Sequence, residues 1–402
     1  MTYRIPAGLV NTIFSALMLT TQLSADQVPV FERGSEGYNV YRIPALIRAG
    51  NGDLLAFCEA RESGDASEID LVMKRSSDGG MTWSSLQVVQ SREAFRDLYK
   101  PGREITVGNP APVVDSLDPQ HPSRVWLPFT IENDRVFVTF SDDNGIHWSK
   151  AREITVDVKR DDWGWYATGP VHSIQIRRGP HTGRLVVPCD HRIGTDGADK
   201  GALGAHVIYS DDHGQTWKLG AVDDTYDDGL NANETTVAEL PGGELYFNTR
   251  DQNGSADGTR GAAFSRDGGL TFVEAGSTHR WFSPVTGVID PPVVQCSVLM
   301  MEQSDDSKSS GLLLFCGPDT DGPSGPGRSD LRVRLSTDEA KTWRDGPLLH
   351  EGPAAYSDMV RITTEGDNVG ILFECGDSGG GAYDRIAFTV LSTSDLPLKT
   401  AN

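Results

Sequence analysis

Apolar, β-prone residues occur along this chain in short bursts separated by polar, glycine-containing turns. Five such runs are IDLVMKR (Ile69–Arg75), RVFVTF (Arg135–Phe140), GAHVIY (Gly204–Tyr209), GAAF (Gly261–Phe264) and LRVRL (Leu331–Leu335). Runs this short, bounded by turn residues, predict strands rather than helices. The turn after each run follows one pattern, S-x-D-x-G-x-T-W. It reads SSDGGMTW (Ser76–Trp83), SDDNGIHW (Ser141–Trp148), SDDHGQTW (Ser210–Trp217), SRDGGLTF (Ser265–Phe272) and STDEAKTW (Ser336–Trp343).

Each position of the pattern has a physical task. The aspartate can accept backbone N–H bonds within its own turn, and the glycine can take a positive φ. The tryptophan arrives where the next strand begins and can bury a large apolar face. Each copy therefore predicts a hairpin turn between two strands. The copies start 65, 69, 55 and 71 residues apart, and the later ones degrade, with Phe272 for Trp, Ala340 for Gly and His147 for Thr. A supersecondary unit repeated at this period means a repeat architecture.

Residues 1–25 break the pattern. They hold one charge, Arg4, then a mostly apolar stretch from Leu9 to Leu19, and close on Leu23-Ser24-Ala25. That is the form of a secretory leader, and the stretch is too short and too polar for a membrane span. The expected organisation is a leader over 1–25 and one domain over 26–402, with the mature protein secreted or periplasmic. The five cysteines, Cys58, Cys189, Cys296, Cys316 and Cys375, each sit in or beside an apolar run and form no CxxC pair. Buried free thiols are expected, and no disulfide framework. No histidine spacing supports a metal site.

Composition narrows the functions. The net charge is −21, a poor match to nucleic acid or to an anionic membrane surface. Glycine (44) and proline (22) together exceed their usual share of a 402-residue chain by about a third, as a turn-rich all-β protein requires.

A second set of residues carries chemistry. Arg42 sits in YRIPAL (Tyr41–Leu46), a charge inside an apolar strand segment that must be paired or used. FCEARESGDASEID (Phe57–Asp70) holds Arg61, Asp65 and Asp70. NANETTVAELPGGELYFNTR (Asn231–Arg250) places Glu234 sixteen residues before Arg250. Arg328 precedes LRVRL, Tyr356 lies in GPAAYSDM (Gly352–Met359) and Glu374 in ILFECG (Ile371–Gly376).

With these motifs in order from about Val28 to Leu396, the chain resembles the exo-sialidases (neuraminidases) of bacterial and animal type, and the repeated turn resembles their Asp box. The resemblance implies a six-bladed β-propeller with four antiparallel strands per blade. The spacing fits, since the 377 residues after the leader hold about six units of the mean 65-residue period. It further implies retaining hydrolysis of terminal sialic acids from glycoproteins, glycolipids or oligosaccharides, without a cofactor or a catalytic metal. Sialylated glycans are the expected partners, with neither nucleic acid nor membrane insertion; the oligomeric state stays open.

Site roles follow from the same resemblance. Arg42, Arg250 and Arg328 match the three arginines that bind the sugar's carboxylate, and Arg61 matches a further sugar contact. Planar bidentate guanidinium–carboxylate pairing explains the residue type. Glu374 matches the glutamate that holds the first arginine. A carboxylate nucleophile would be repelled by the substrate's own carboxylate, so a tyrosine takes that role. Tyr356 matches it, with Glu234 as its base and the arginines expected to favour phenolate. Asp65 matches the acid/base residue on the loop, while Asp70, at strand spacing, reads as structural.

Some features stay open. WGWYATGP (Trp163–Pro170) can wall a pocket or fill a core. Asn233-Glu234-Thr235 is a glycosylation sequon that overlaps the expected base and reads as coincidence. Transfer of the sugar to another acceptor would use the same residues as hydrolysis. A pocket lined by Arg42, Arg61, Arg250 and Arg328 is expected to be locally positive on an acidic body.

Overall fold

The computed structural model describes residues 27–195, 200–274, 276, 279–301, 311–320, 327–363 and 366–396. The expected leader, 1–25, lies outside them. The fold is all-β and propeller-like. Among the described residues the only α-helical segment is the four-residue Thr155–Val158, and no helix is long and apolar enough to cross a membrane.

Among the described residues the strands form five hydrogen-bonded sheets. One contains Val40–Arg48, Leu54–Arg61, Ile69–Ser76 and Gln87–Gln90; another contains Ala232–Glu239, Leu245–Asp251, Arg260–Ser265 and Ser283–Val285. The largest has seven strands. In it the 18-residue strand Arg344–Arg361 pairs with Ser329–Ser336 through its first half and with Asn368–Cys375 through its second. The N-terminal strand Val28–Glu32 pairs with the C-terminal strand Arg385–Ser392, so the two ends of the described chain share one sheet.

Middle strands read as continuous apolar runs because both of their faces are covered. All eight residues of Leu54–Arg61 are buried. Neighbouring sheets pack face to face: Phe57 and Leu71 against Leu127 and Phe129, Trp126 and Val136 against Leu185 and Trp217, Val207 against Phe247. The last sheet returns to the first, with Phe388 and Ile386 against Leu54 and Ala56. All five cysteines are buried free thiols.

Each copy of the repeat is a locally closed turn between two strands. In Ser210–Trp217 the Asp212 carboxylate accepts from the Thr216 amide (2.8 Å) and hydroxyl (2.6 Å), while the Gly214 amide donates to Ser210 Oγ (2.8 Å). The backbone bond to the aspartate recurs around Asp78, Asp143, Asp267 and Asp338, with the His147 ring in place of the threonine hydroxyl at Asp143. These contacts hold the Asp78 and Asp143 carboxyls down at about 2. Gly214 needs both its positive φ (79°) and its missing side chain, because a Cβ there would lie 2.1 Å from the Trp126 ring. Ala340 takes the same left-handed backbone at φ 66°. The closing aromatic of the motif reaches a neighbouring ring, as in Trp83 on Phe388 and Trp148 on Phe57.

Near the inner ends of the strands, buried polar groups tie the sheets together. Asp358, fully buried, accepts from the backbone amides of Leu46 and His172 and pairs with His172 Nδ1 at 2.6 Å.

Candidate active site

The strand Val40–Arg48 is irregular at its start. Its pairing with Leu54–Arg61 slips between Arg42 and Ala45, and Ile43 takes φ 63°. A β-branched residue there is strained, and a bulge re-aims the neighbouring side chain. The fully buried Glu374 receives it: Oε1 accepts from Arg42 Nε (2.7 Å) and the Ile43 amide (2.8 Å), and Oε2 from the Tyr356 amide (3.2 Å). Burial alone would disfavour the Arg42 charge, but Glu374 outweighs it and keeps the guanidinium protonated.

Arg42 opens into a cavity of about 660 Å³ that is also lined by Arg61, Asp65, Glu234, Arg250, Arg328 and Tyr356. Glu374 sits behind it. The eight residues chosen from sequence thus converge on one place, six from strands and two, Asp65 and Arg328, from the connections between them. Tyr356 donates its hydroxyl to Glu234 Oε1 at 2.5 Å, and Arg250 Nη1 donates to Glu234 Oε2 (2.8 Å) and to the Tyr356 oxygen (3.2 Å). Arg42 and Arg328 lie against the Tyr356 ring, with Cζ 5.0 and 5.4 Å from its centroid.

The electrostatics bear out one expectation in direction but not in net effect. Burial, then the Glu234 charge, push the Tyr356 hydroxyl above its usual range, and the three arginines only partly oppose this. Tyr356 is therefore a phenol, although each of the three arginines favours its ionised form. Asp65 shows a similar contrast. Its side chain is 84% exposed and paired with Arg61, with Arg42 at 3.8 Å. What burial its carboxyl has works against ionisation, but these cations outweigh it and hold Asp65 below the usual carboxylate range, as a carboxylate.

Several contributors were not singled out from sequence. Glu59, two residues before Arg61 on the same strand, grips the Arg61 guanidinium (2.6 and 2.9 Å) and also accepts from the Asn109 amide. The i, i+2 spacing of opposite charges was the readable signal. Asp190, fully buried in the cavity wall, accepts from Asn233 Nδ2 at 2.9 Å. Burial, then the charge of Glu234, raise its carboxyl well above normal. The sequon asparagine is thus buried with its amide engaged. Tyr383 lies beside Arg42 and Arg328. The WGWYATGP segment does both things left open: Trp163 and Tyr166 fill the core, whereas Trp165 and Ala167 face the cavity. Asp70 accepts from the Tyr38 hydroxyl and the Arg92 amide.

Residues 52–371 match the family described as the BNR repeat-like domain. The chain belongs to the sialidase family with BNR repeats. Among family members, a sialidase from Micromonospora viridifaciens is 30% identical over 368 residues, covering 85% of this chain and 51% of that protein. A sialidase from Bacteroides fragilis is 28% identical, covering 86% and 62%. The chain therefore spans about half to three fifths of the length of these two relatives. Among solved structures, the Hadza microbial sialidase Hz136 superposes with a TM-score of 0.74 at 27% identity, covering 92% of this chain and 69% of that one.

Proposed function

We propose that this protein is a retaining exo-α-sialidase that hydrolyses terminal sialic acids from glycoconjugates through a covalent tyrosyl-sialosyl intermediate. The observation that carries the reading is the Tyr356–Glu234 hydrogen bond at 2.5 Å inside a cavity shared by Arg42, Arg250 and Arg328. A binding module has no use for an oriented phenol–carboxylate pair beside an anion site.

In this reading the three arginines bind the substrate carboxylate through charge-assisted hydrogen bonds. The Tyr356 oxygen attacks the anomeric carbon while its proton passes to Glu234, which spares the enzyme a free phenolate. Asp65 protonates the departing glycosidic oxygen. It can do so once the aglycone covers its exposed carboxyl and the substrate carboxylate competes for Arg42, both of which favour its neutral form. Asp65, now ionised, then takes a proton from water. The water oxygen bonds to the anomeric carbon, the tyrosyl bond breaks, and Glu234 returns its proton to Tyr356. Two displacements retain configuration.

The same proposal covers the architecture. The strand Arg344–Arg361 serves two four-stranded blades, one on either side, so the seven-stranded sheet counts as two and the propeller has six. The five repeats are its Asp-box turns.

The test is release of sialic acid from an aryl α-sialoside, with the first-formed anomer followed by NMR. Wild type is expected to release the α-anomer first. Tyr356→Phe is expected to lose turnover by roughly 10³-fold or more while its circular dichroism stays unchanged. Full activity in Tyr356→Phe, or a β-anomer first, refutes the mechanism.

A further inference from the structure

The three arginines of the cavity are not held alike. Arg42 is paired with Glu374 and Arg250 with Glu234. Arg328 makes no ion pair within 4 Å among the described residues, and only its longer-range charge reaches Asp65. Its Nη1 donates to the Tyr383 hydroxyl at 2.8 Å and its Nη2 to the Val293 carbonyl at 3.1 Å. The same phenol serves Arg42, whose Cζ lies 3.8 Å from the Tyr383 ring centroid. One neutral side chain thus touches two of the three cations, presenting its π face to one and its oxygen to the other.

A neutral partner is what the chemistry needs here. A carboxylate on Arg328 would compete with an incoming carboxylate ligand, and an unpartnered guanidinium would lose its orientation. A phenol oxygen fixes the guanidinium plane and leaves its charge uncompensated. The support behind Tyr383 is built to hold it. Its segment links the strands Asn368–Cys375 and Arg385–Ser392 and is fastened by the Gly380 amide to Asp377 O (2.8 Å) and the Arg33 amide to Asp384 O (3.0 Å). Arg385 pairs with Asp377 at 2.8 Å. Ala382 and Tyr383 pack on the apolar cluster that contains Ile43, Ala355 and Tyr356.

We propose that Tyr383 is a positioning residue, a neutral clamp that sets the planes of Arg42 and Arg328 for carboxylate recognition. The inference rests on the sialidase reading of this cavity.

The test compares binding of 2-deoxy-2,3-dehydro-N-acetylneuraminic acid with binding of its methyl ester, which keeps the sugar but not the charge. Wild type, Tyr383→Phe and Tyr383→Leu are measured, with Tyr383→Phe repeated in an Arg328→Ala background. Tyr383→Phe keeps the ring on Arg42 and removes the acceptor of Arg328. The acid-to-ester preference is expected to fall about tenfold in Tyr383→Phe and further in Tyr383→Leu. KM for an aryl sialoside should rise in parallel, with kcat within about twofold, and Tyr383→Phe should add nothing once Arg328 is gone. Acid and ester weakening together, an unchanged preference in Tyr383→Phe, or an undiminished effect in the Arg328→Ala background would each overturn the proposal. Should Tyr383→Leu fail to fold, Tyr383→Phe alone decides. Wild type that neither binds the acid nor turns over the sialoside would overturn the sialidase reading itself, and this inference with it.

Discussion

In the turn Ser210–Trp217, Asp212 finds its hydrogen-bond donors within four residues of itself. In the cavity, Glu374 accepts from Arg42, 332 positions away in sequence. The turn closes on itself and leaves its aspartate fully satisfied. The cavity is assembled from distant strands, and the buried Arg250 Nε there lacks a partner; in the turn the atom without one is Nε1 of the apolar closing residue, Trp217. The cavity also carries strained backbone at Ile43. Charged side chains thus serve two ends here. Where donors and acceptors cancel locally, the charge stabilises a connection. Where they are gathered from afar and left incompletely paired, the site keeps capacity for a ligand.

The sharpest way to break this contrast is to alter one member of each region and ask what fails. Glu234→Gln retains the shape of the cavity but removes the group that takes the Tyr356 proton in the proposed mechanism. Its kcat is expected to fall roughly 10²- to 10⁴-fold with thermal stability close to wild type. A large loss of stability with activity per folded molecule preserved would place Glu234 among the structural groups instead.

The two regions also differ in how far sequence alone revealed them. The turns were legible because their logic is local: Ser, Asp, Gly, Thr and Trp act within eight residues, and repetition exposed them. The eight cavity residues were legible only through resemblance, since no spacing argument could bring Arg42 to Glu374. Asp190 and Tyr383 went unread for the same reason, as their partners are set by the packing of sheets, whereas Glu59 stood two residues from its partner Arg61 and was overlooked. The pull of the arginines toward phenolate was legible, but the burial that outweighs it has no sequence signature.

Asp212→Ala probes the other side of the contrast. Losing a side chain that caps backbone amides costs about 1–2 kcal/mol in comparable helix caps, and a drop of a few degrees in Tm is expected with KM unchanged. The same turns predict an acid limb. With Asp78 and Asp143 at about 2 when folded, against ~3.9 for a free aspartate, their stabilisation is complete above roughly pH 4. It is lost as pH falls through about 2. Thermal melts across that window check this, and a flat profile between pH 5 and 2 would contradict it.

The smallest effect is the most discriminating about what the repeat is for. Ala340 stands where the four other copies have a glycine at φ 79–95° and adopts φ 66° itself. A left-handed residue with a Cβ costs about 1–2 kcal/mol, partly offset by the contact of the Ala340 methyl with the apolar cluster behind it. Ala340→Gly should therefore raise stability by only ~0.5 kcal/mol, seen as a rise of about 1–2 °C in Tm, with kcat and KM unaltered. If this turn serves connection alone, relieving its strain improves the fold and leaves the cavity untouched. A change in kcat/KM would mean that the turns and the cavity are coupled, and the division between a self-satisfied scaffold and a ligand-ready site would have to be redrawn.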